Sequence, residues 1–532
     1  MGNLFWHRLV SGAFWEQLSR IYEIMKNGRL LLVISACILL LSCSEKPLST
    51  LVETDAGTIE GTIENGIKVF KGVPFAAPPV GDLRWKAPQP VVPWDGVRKT
   101  DKFGPACPQP QNLPQSEDCL YLNIWTPANY ASEKLPVMVW IHGGGFSMGA
   151  PLESTYFGEK LTREGVIYIS VAYRLGVLGF LAHPELTAES PDKVSGNYGL
   201  LDMIAALQWV NRNISAFGGD PQKVTIFGES AGGAAVSILC ASPLTKDLFR
   251  GAICQSGGNF SPVDSGSLLI GAEKSGIEFM KRMGANNIEE MRAMPPEDFF
   301  KDRAGGRYGF RPNVDGFVLT GDQYKLYESG KYNHIDVMIG LNSDEGGLFV
   351  RQTPEPDAYN KSITDRFGPY ADRFMAAYPG ETKEERYYSS ADLTRDSGFG
   401  WATWTWARLQ SRTSETRVFT YYFDQKQPEM PNMPVKLRGA PHAAEIKYVF
   451  RNLNENRFSE EDFKLSEMMA KYWTNFAKNG DPNGGDLPLW PQFKEEEPVF
   501  MYLKGTPTSG PVPNLDKLRL FEEYYSFVRS GN

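Results

Sequence analysis

Apolar positions along the chain fall into two recurring patterns. Short, nearly unbroken apolar runs occupy residues 135–141, 166–173, 335–341 and 418–423, with shorter ones at 224–227 and 251–254. Runs without polar alternation predict strands buried on both faces. Residues 197–216 instead carry Leu200, Met203, Ile204, Leu207 and Val210 at three- and four-residue spacing, which predicts a helix with one apolar face. Strand and helix in alternation predict an α/β fold with a central, mostly parallel sheet flanked by helices. Residues 50–72 alternate apolar and polar side chains, punctuated by Gly57, Gly61 and Gly66, and predict a small antiparallel sheet. Residues 74–93 are proline-rich and irregular, 353–411 mainly helical and rich in aromatics, and 465–479 a late helix closed by the turn at 480–484. Trp401, Trp404 and Trp406 fall at helical spacing, which assigns them to the core rather than to a pocket wall.

The amino end has a different character. Met25-Lys26-Asn27-Gly28-Arg29 is a short basic segment, followed by an apolar run at 30–41 and Ser42-Cys43. This is the layout of a secretory signal, and its apolar run falls short of the ~20 residues that span a bilayer. Leu40-Leu41-Ser42-Cys43 is similar to a bacterial lipobox, in which Cys43 becomes the lipidated first residue of the mature protein. Residues 1–43 are therefore read as an export signal with a better start at Met25. The expected destination is the periplasm or cell surface as a lipoprotein, with plain secretion as the alternative. No repeat or low-complexity linker follows, so 44–532 is read as a single catalytic domain.

Composition narrows this only slightly. In 532 residues, 42% are hydrophobic and 22% charged, and the net charge of −8 leaves no basic footprint for nucleic acid. Of six cysteines, Cys37 and Cys43 lie in the export segment. Cys107 and Cys119 bracket a short loop holding Pro108, Pro110 and Pro114, and in an oxidising compartment they are expected to pair. Cys240 and Cys254 sit in apolar stretches and read as two separate buried thiols.

The chemistry concentrates at Gly228-Glu229-Ser230-Ala231-Gly232, between a β-branched run and a helix-like run. It reads as a nucleophile elbow, in which the serine stands on a strained turn and small residues two positions away avoid collision. A serine hydroxyl needs an imidazole to take its proton, and the imidazole needs a carboxylate. Of five histidines, His7 lies outside the mature chain, His142 opens a glycine loop, His183 precedes Pro184 and His334 begins a predicted strand. His442 remains, late in the chain and after a strand, as the order serine, acid, histidine requires. Asp344 and Glu345 both follow a strand at the right place, and physical reasoning does not choose between them. Gly144 and Gly145, after the buried strand 135–141, and Ala231, after the serine, offer backbone amides to an oxyanion. No lysine with Ser/Thr accompanies Gly143-Gly144-Gly145, which excludes a P-loop. Neither cofactor nor metal is expected.

Together these residues resemble the type-B carboxylesterase/lipase family, the cholinesterase-like branch of the α/β-hydrolase fold. The resemblance rests on Ser116-Glu117-Asp118-Cys119-Leu120-Tyr121-Leu122-Asn123, on 217–233 around Ser230, and on Trp140-Ile141-His142-Gly143-Gly144-Gly145-Phe146. Asn342-Ser343-Asp344-Glu345-Gly346, His442-Ala443-Ala444-Glu445-Ile446 and 475–483 extend it over roughly 50–493. It implies Ser230 as nucleophile, Glu345 rather than Asp344 as acid, His442 as base, and Gly144, Gly145 and Ala231 as oxyanion donors. It further implies helical insertions over the site, the Cys107–Cys119 disulfide and a buried Arg84–Glu117 ion pair. Family lipases and cholinesterases carry a longer disulfide loop, forming an apolar lid or presenting a tryptophan to choline. Here 108–118 has no tryptophan and only Leu113 as a large aliphatic, which argues against lipase action and choline selectivity. The expectation is hydrolysis of small or medium, uncharged esters through an acyl-enzyme. The rivals are a silent adhesion or binding protein of the same family and an amide or carbamate hydrolase.

Overall fold

A computed structural model describes residues 6–26, 47–300, 310–429 and 436–531, with the side chains of 6–14 excepted. It contains two units, Met1–Pro47 and Leu48–Asn532. In the first, a helix spans Trp6–Lys26, running through Met25, and exposes Trp15, Leu18, Ile21 and Tyr22. Cys37, the rest of the apolar run at 30–41 and Cys43 with its lipobox lie outside the described residues. No helix among the described residues is long and apolar enough to cross a membrane.

The second unit is built on an eleven-stranded sheet. Its strands in chain order are β3 Thr62–Glu64, β4 Ile67–Pro74, β6 Tyr121–Thr126, β7 Leu135–Ile141, β8 Ile167–Val171, β9 Gly219–Glu229, β10 Gly251–Gln255, β11 Asp336–Asn342, β12 Val418–Phe423, β13 Val499–Leu503 and β14 Thr508–Pro511. Across the sheet they run β14-β13-β12-β11-β10-β9-β7-β8-β6-β4-β3. From β8 to β13 the seven strands are parallel, while β6, β4 and β3 on one edge and β14 on the other run antiparallel to their neighbours. The unbroken apolar runs correspond to the parallel centre: every residue of β8, β10 and β12 is buried.

Both faces are covered, and side-chain alternation along β7 shows how. Val137, Val139 and Ile141 join the core cluster containing Leu200, Met203 and Leu207 of the Tyr198–Asn213 helix and Val236 and Leu239 of the Ala231–Ala241 helix. Met138 and Trp140 point the other way, into a cluster with Leu465, Met469, Trp473 and Phe476 of the Glu460–Asn479 helix. Trp401, Trp404 and Trp406, on the Trp401–Thr413 helix, are buried in the first cluster, as their spacing predicts.

The small amino-terminal sheet differs from expectation. It consists of β1 Leu51–Thr54, β2 Gly57–Glu60 and β5 Val97–Lys99; β1 pairs antiparallel with β2, but β5 joins β2 in parallel, so the sheet is mixed. The last part of 50–72, as β3 and β4, leaves it for the edge of the large sheet. Alternation specifies which face of a strand is buried, not which neighbour it pairs with. At Gly61, where the chain passes between sheets, a Cβ would lie 2.4 Å from the Val69 carbonyl oxygen.

The disulfide Cys107–Cys119 is formed. Beside it Arg84 Nε and Nη2 donate to Glu117 at 2.7 and 2.5 Å, and Arg84 Nη1 reaches the carbonyls of Met291, Arg292 and Met294. Cys240 and Cys254 are free and buried.

Candidate active site

β9 ends at Glu229 and the helix Ala231–Ala241 begins two residues later, leaving Ser230 alone on the turn. Its backbone adopts φ 57° and ψ −120°, a conformation costing of order 1–3 kcal/mol in a non-glycine residue. Two hydrogen bonds hold it there: Ser230 N to the Gln255 carbonyl of β10 at 2.9 Å, and Ala234 N to the Ser230 carbonyl at 2.8 Å. The flanking glycines are required by space. A Cβ at Gly232 would stand 2.0 Å from the Ile141 carbonyl oxygen, and one at Gly228 2.6 Å from the same atom.

The glycine loop leaves β7 beside this turn. Gly144 and Gly145 have φ of 103° and 64°, and a Cβ at Gly144 would lie 2.1 Å from the Met148 carbonyl oxygen. Their N–H groups donate to no backbone carbonyl outside the named elements among the described residues. Ala231, first in its helix, has no intrahelical acceptor for its N–H either. These amides are the candidate donors to an oxyanion.

His142 belongs to the support of this loop. It is buried and stacked on Tyr173, with ring centroids 4.4 Å apart, and Nδ1–H donates to the Gly143 carbonyl at 2.9 Å. Burial pushes its pKa down to about 4, so the ring stays neutral. His183 caps the Pro184–Glu189 helix, and His334 is exposed and bonded to the Gly330 carbonyl.

His442 is different. Its Nδ1 lies 2.5 Å from Glu345 Oε2, and Glu345 is wholly buried. The other carboxylate oxygen of Glu345 accepts from Ser256 Oγ at 2.5 Å and from Asn342 N at 2.6 Å, so the acid cannot rotate away from the imidazole. Asp344 has another task. Its Oδ2 accepts from Arg438 N at 2.7 Å and its N–H donates to the Ala440 carbonyl at 2.9 Å, tying down the loop that delivers His442. The structure thus brings Glu345, not Asp344, to the imidazole.

The remaining ring nitrogen, Nε2, faces Glu229 Oε1 at 3.2 Å. Burial drives the Glu229 carboxyl pKa up. On His442 burial acts downward, but the nearby Glu229 and Glu345 carboxylates override it and raise the imidazole pKa. The pair therefore titrates as a unit. Glu445 lies behind, also buried, accepting from Gln255 Nε2 at 3.0 Å and Asn342 Nδ2 at 2.5 Å. Phe349 and Phe399 flank the imidazole, with ring centroids 5.2 and 4.9 Å away.

Sequence reasoning did not assign Glu229, Glu445, Gln255 or Ser256. The first two sit inside motifs, where a glutamate reads as a solvated charge. The signal for the others was the small polar tip at the end of β10, Gln255-Ser256-Gly257, next to the elbow strand.

A serine on a strained strand-to-helix turn above a parallel sheet, bare amides on one side and a glutamate-backed imidazole in a neighbouring loop define the class: a serine hydrolase of the α/β-hydrolase fold. Solved structures agree. A p-nitrobenzyl (PNB) esterase matches with TM-score 0.77 and 35% identity, over 88% of this chain and 99% of that one. Among curated proteins, fumonisin B1 esterase of Sphingopyxis macrogoltabida is 38% identical over 476 residues, 84% of this chain and 85% of that protein. Para-nitrobenzyl esterase of Bacillus subtilis is 34% identical over 500 residues, covering 88% and 97%. The carboxylesterase family model matches residues 48–519. The chain belongs to the carboxylesterase family and is a serine carboxylic ester hydrolase.

Proposed function

We propose that Ser230 attacks the carbonyl carbon of a small or medium, uncharged ester while His442 Nε2 takes the hydroxyl proton. The observation that carries this is the His442–Glu345 contact at 2.5 Å, because a buried carboxylate on Nδ1 fixes the tautomer and stabilises the imidazolium. The amides of Gly144, Gly145 and Ala231 receive the oxyanion. Collapse of the tetrahedral intermediate breaks the ester C–O bond, and the imidazolium returns its proton to the leaving alcohol. Water, activated by the same imidazole, then hydrolyses the acyl-enzyme. An ionised Glu229 beside Nε2 raises the imidazole pKa, so His442 is free as a base only above that value.

The substrate class follows from the surroundings. The loop 108–118 offers neither a tryptophan nor an apolar lid, while Phe349 and Phe399 give apolar surface beside His442. Relatives named for p-nitrobenzyl esters, fumonisin B1 and cocaine support the ester class and differ in substrate. A fluorophosphonate should label Ser230 in the folded protein and leave Ser230→Ala unlabelled. An unlabelled wild type refutes the mechanism and favours a silent binding protein. Matched ester and amide substrates decide between ester and amide hydrolysis, and an acyl and alcohol panel ranks the esters.

Residues 1–43 are proposed to export the chain, residues 44–532 to form one catalytic domain, and Cys43 to carry the lipid. Labelled palmitate incorporated in a bacterial host and lost in Cys43→Ala is the expected result; equal labelling of both would refute lipidation there.

A further inference from the structure

We infer that Gln109, in the Cys107–Cys119 loop, is a positioning residue for the oxyanion-binding glycine loop. The inference rests on the esterase mechanism proposed above. Gln109 is buried, 4% exposed, although glutamine is ordinarily a surface residue. Its carboxamide pairs with both backbone groups of Gly149: Oε1 accepts from Gly149 N at 2.8 Å and Nε2 donates to the Gly149 carbonyl at 2.9 Å. The second Nε2 proton goes to the Cys107 carbonyl at 3.1 Å, and Gln109 N donates to Gln115 Oε1 at 2.8 Å. A side chain thus replaces a neighbouring strand, and the disulfide loop is its mount.

Gly149 has no freedom on its other side. Its φ is 106°, and a Cβ there would lie 2.5 Å from His142 Nδ1 and 2.7 Å from the Gly143 carbonyl oxygen. Met148, its neighbour, donates from N to the Gly144 carbonyl at 3.1 Å, and the Met148 carbonyl oxygen would meet a Gly144 Cβ at 2.1 Å. Gly149 is thus packed too closely against His142 and Gly143 for even a methyl group, and Met148 ties it to the Gly144 carbonyl, so a displacement of Gly149 is passed along this path. Donors to an oxyanion act only when held where the charge develops. Gln109 touches neither substrate nor reacting atoms; it sets where Gly144 and Gly145 point.

The geometry also links the disulfide to the chemistry. Cys107 supplies one of the three acceptors and donors that hold the Gln109 carboxamide, so opening Cys107–Cys119 loosens the clamp at its base.

The test is Gln109→Met, of similar length but without hydrogen bonds, compared with wild type after fluorophosphonate titration of folded active sites. An oxyanion donor lost outright costs about 10²–10³ in kcat, so a loosened loop should lower kcat about 10- to 100-fold. KM should stay within about twofold, since uniform binding is untouched. Affinity for a trifluoromethyl ketone, which forms an oxyanion on Ser230, should fall in parallel with kcat. Gln109→Glu, which keeps the acceptor for Gly149 N but sets a carboxylate oxygen against the Gly149 and Cys107 carbonyls, should lose at least as much kcat, and it carries the test should Gln109→Met fail to fold. Reduced wild type should lose kcat in the same sense. Unchanged kcat per titrated site in a folded variant, with only its melting temperature lowered, would overturn the inference and leave the mechanism standing. A wild type that takes up no fluorophosphonate would instead sink the mechanism beneath it.

Discussion

Replacing Glu229 by glutamine tests how the elbow sets the working pH. The acid is buried against the His442 imidazole, which is itself only partly exposed. At 3.2 Å a full charge pair is worth about 5 kcal/mol with an effective dielectric near 20, or about 4 pH units as a ceiling. Desolvation of the imidazolium opposes this, and Glu229 itself resists ionisation, so the net effect should be on the order of 1–2 units. The sign follows from the base. A raised imidazole pKa leaves His442 protonated, and unable to accept the Ser230 proton, until the pH exceeds that value. Wild-type kcat/KM should therefore fall as pH drops through an apparent pKa above the ordinary imidazole value of 6.5. Glu229→Gln removes the charge while Glu345 still fixes the ring, so the acid limb should move about one unit or more to lower pH. The assay is kcat/KM for p-nitrophenyl acetate across roughly pH 5 to 9 at constant ionic strength. An acid limb unmoved within about 0.3 unit, or moved upward, would refute the coupling.

Three other substitutions have expected outcomes. Arg84→Met leaves Glu117, whose side chain is only 11% exposed, without its partner and should cost about 3 kcal/mol, read as a lower denaturant midpoint. Gly232→Ala drives a Cβ into the Ile141 carbonyl and should abolish fluorophosphonate labelling, whether the chain folds or not; near-normal labelling would show that the elbow can relax. Asp344→Ala should lower kcat about tenfold by loosening the His442 loop, whereas Glu345→Gln should cost about 10³–10⁴ because the tautomer and the imidazolium lose their support. Equal effects in rate assays would contradict this division.

What the sequence could reveal depended on whether a residue's environment is local. Residues 135–141 and 418–423 were legible as strands because both faces of a central parallel strand are buried, and the apolar run is as long as the strand. The elbow was legible because its pattern is local, although its constraint is only partly so: a Cβ at Gly228 would meet Gly232 across the turn, and one at either glycine would also meet the Ile141 carbonyl of β7. Asp344 and Glu345 were indistinguishable because adjacent carboxylates differ only in which tertiary partner meets them. One accepts the backbone of the 438–440 loop, the other the imidazole. The pairing of β5 and the burial of Glu229 and Glu445 depend on long-range packing, which no local pattern reports.

The short disulfide loop shows why such a division matters for function. In the sequence, 108–118 argued only about what the substrate is not, through the tryptophan and the lid it lacks. In the structure its polar residues are turned inward as well as outward: Gln109 is buried against Gly149, and Leu113, its one large aliphatic, is half-buried. A loop committed to holding the glycine loop has little apolar surface left to offer a substrate. The apolar surface seated by the imidazole is instead that of Phe399 and the exposed Phe349. On the proposed mechanism, reaction and specificity belong to different segments: the motif residues around Ser230 would hold the charges of acyl transfer, and Phe349 and Phe399 offer apolar surface beside His442.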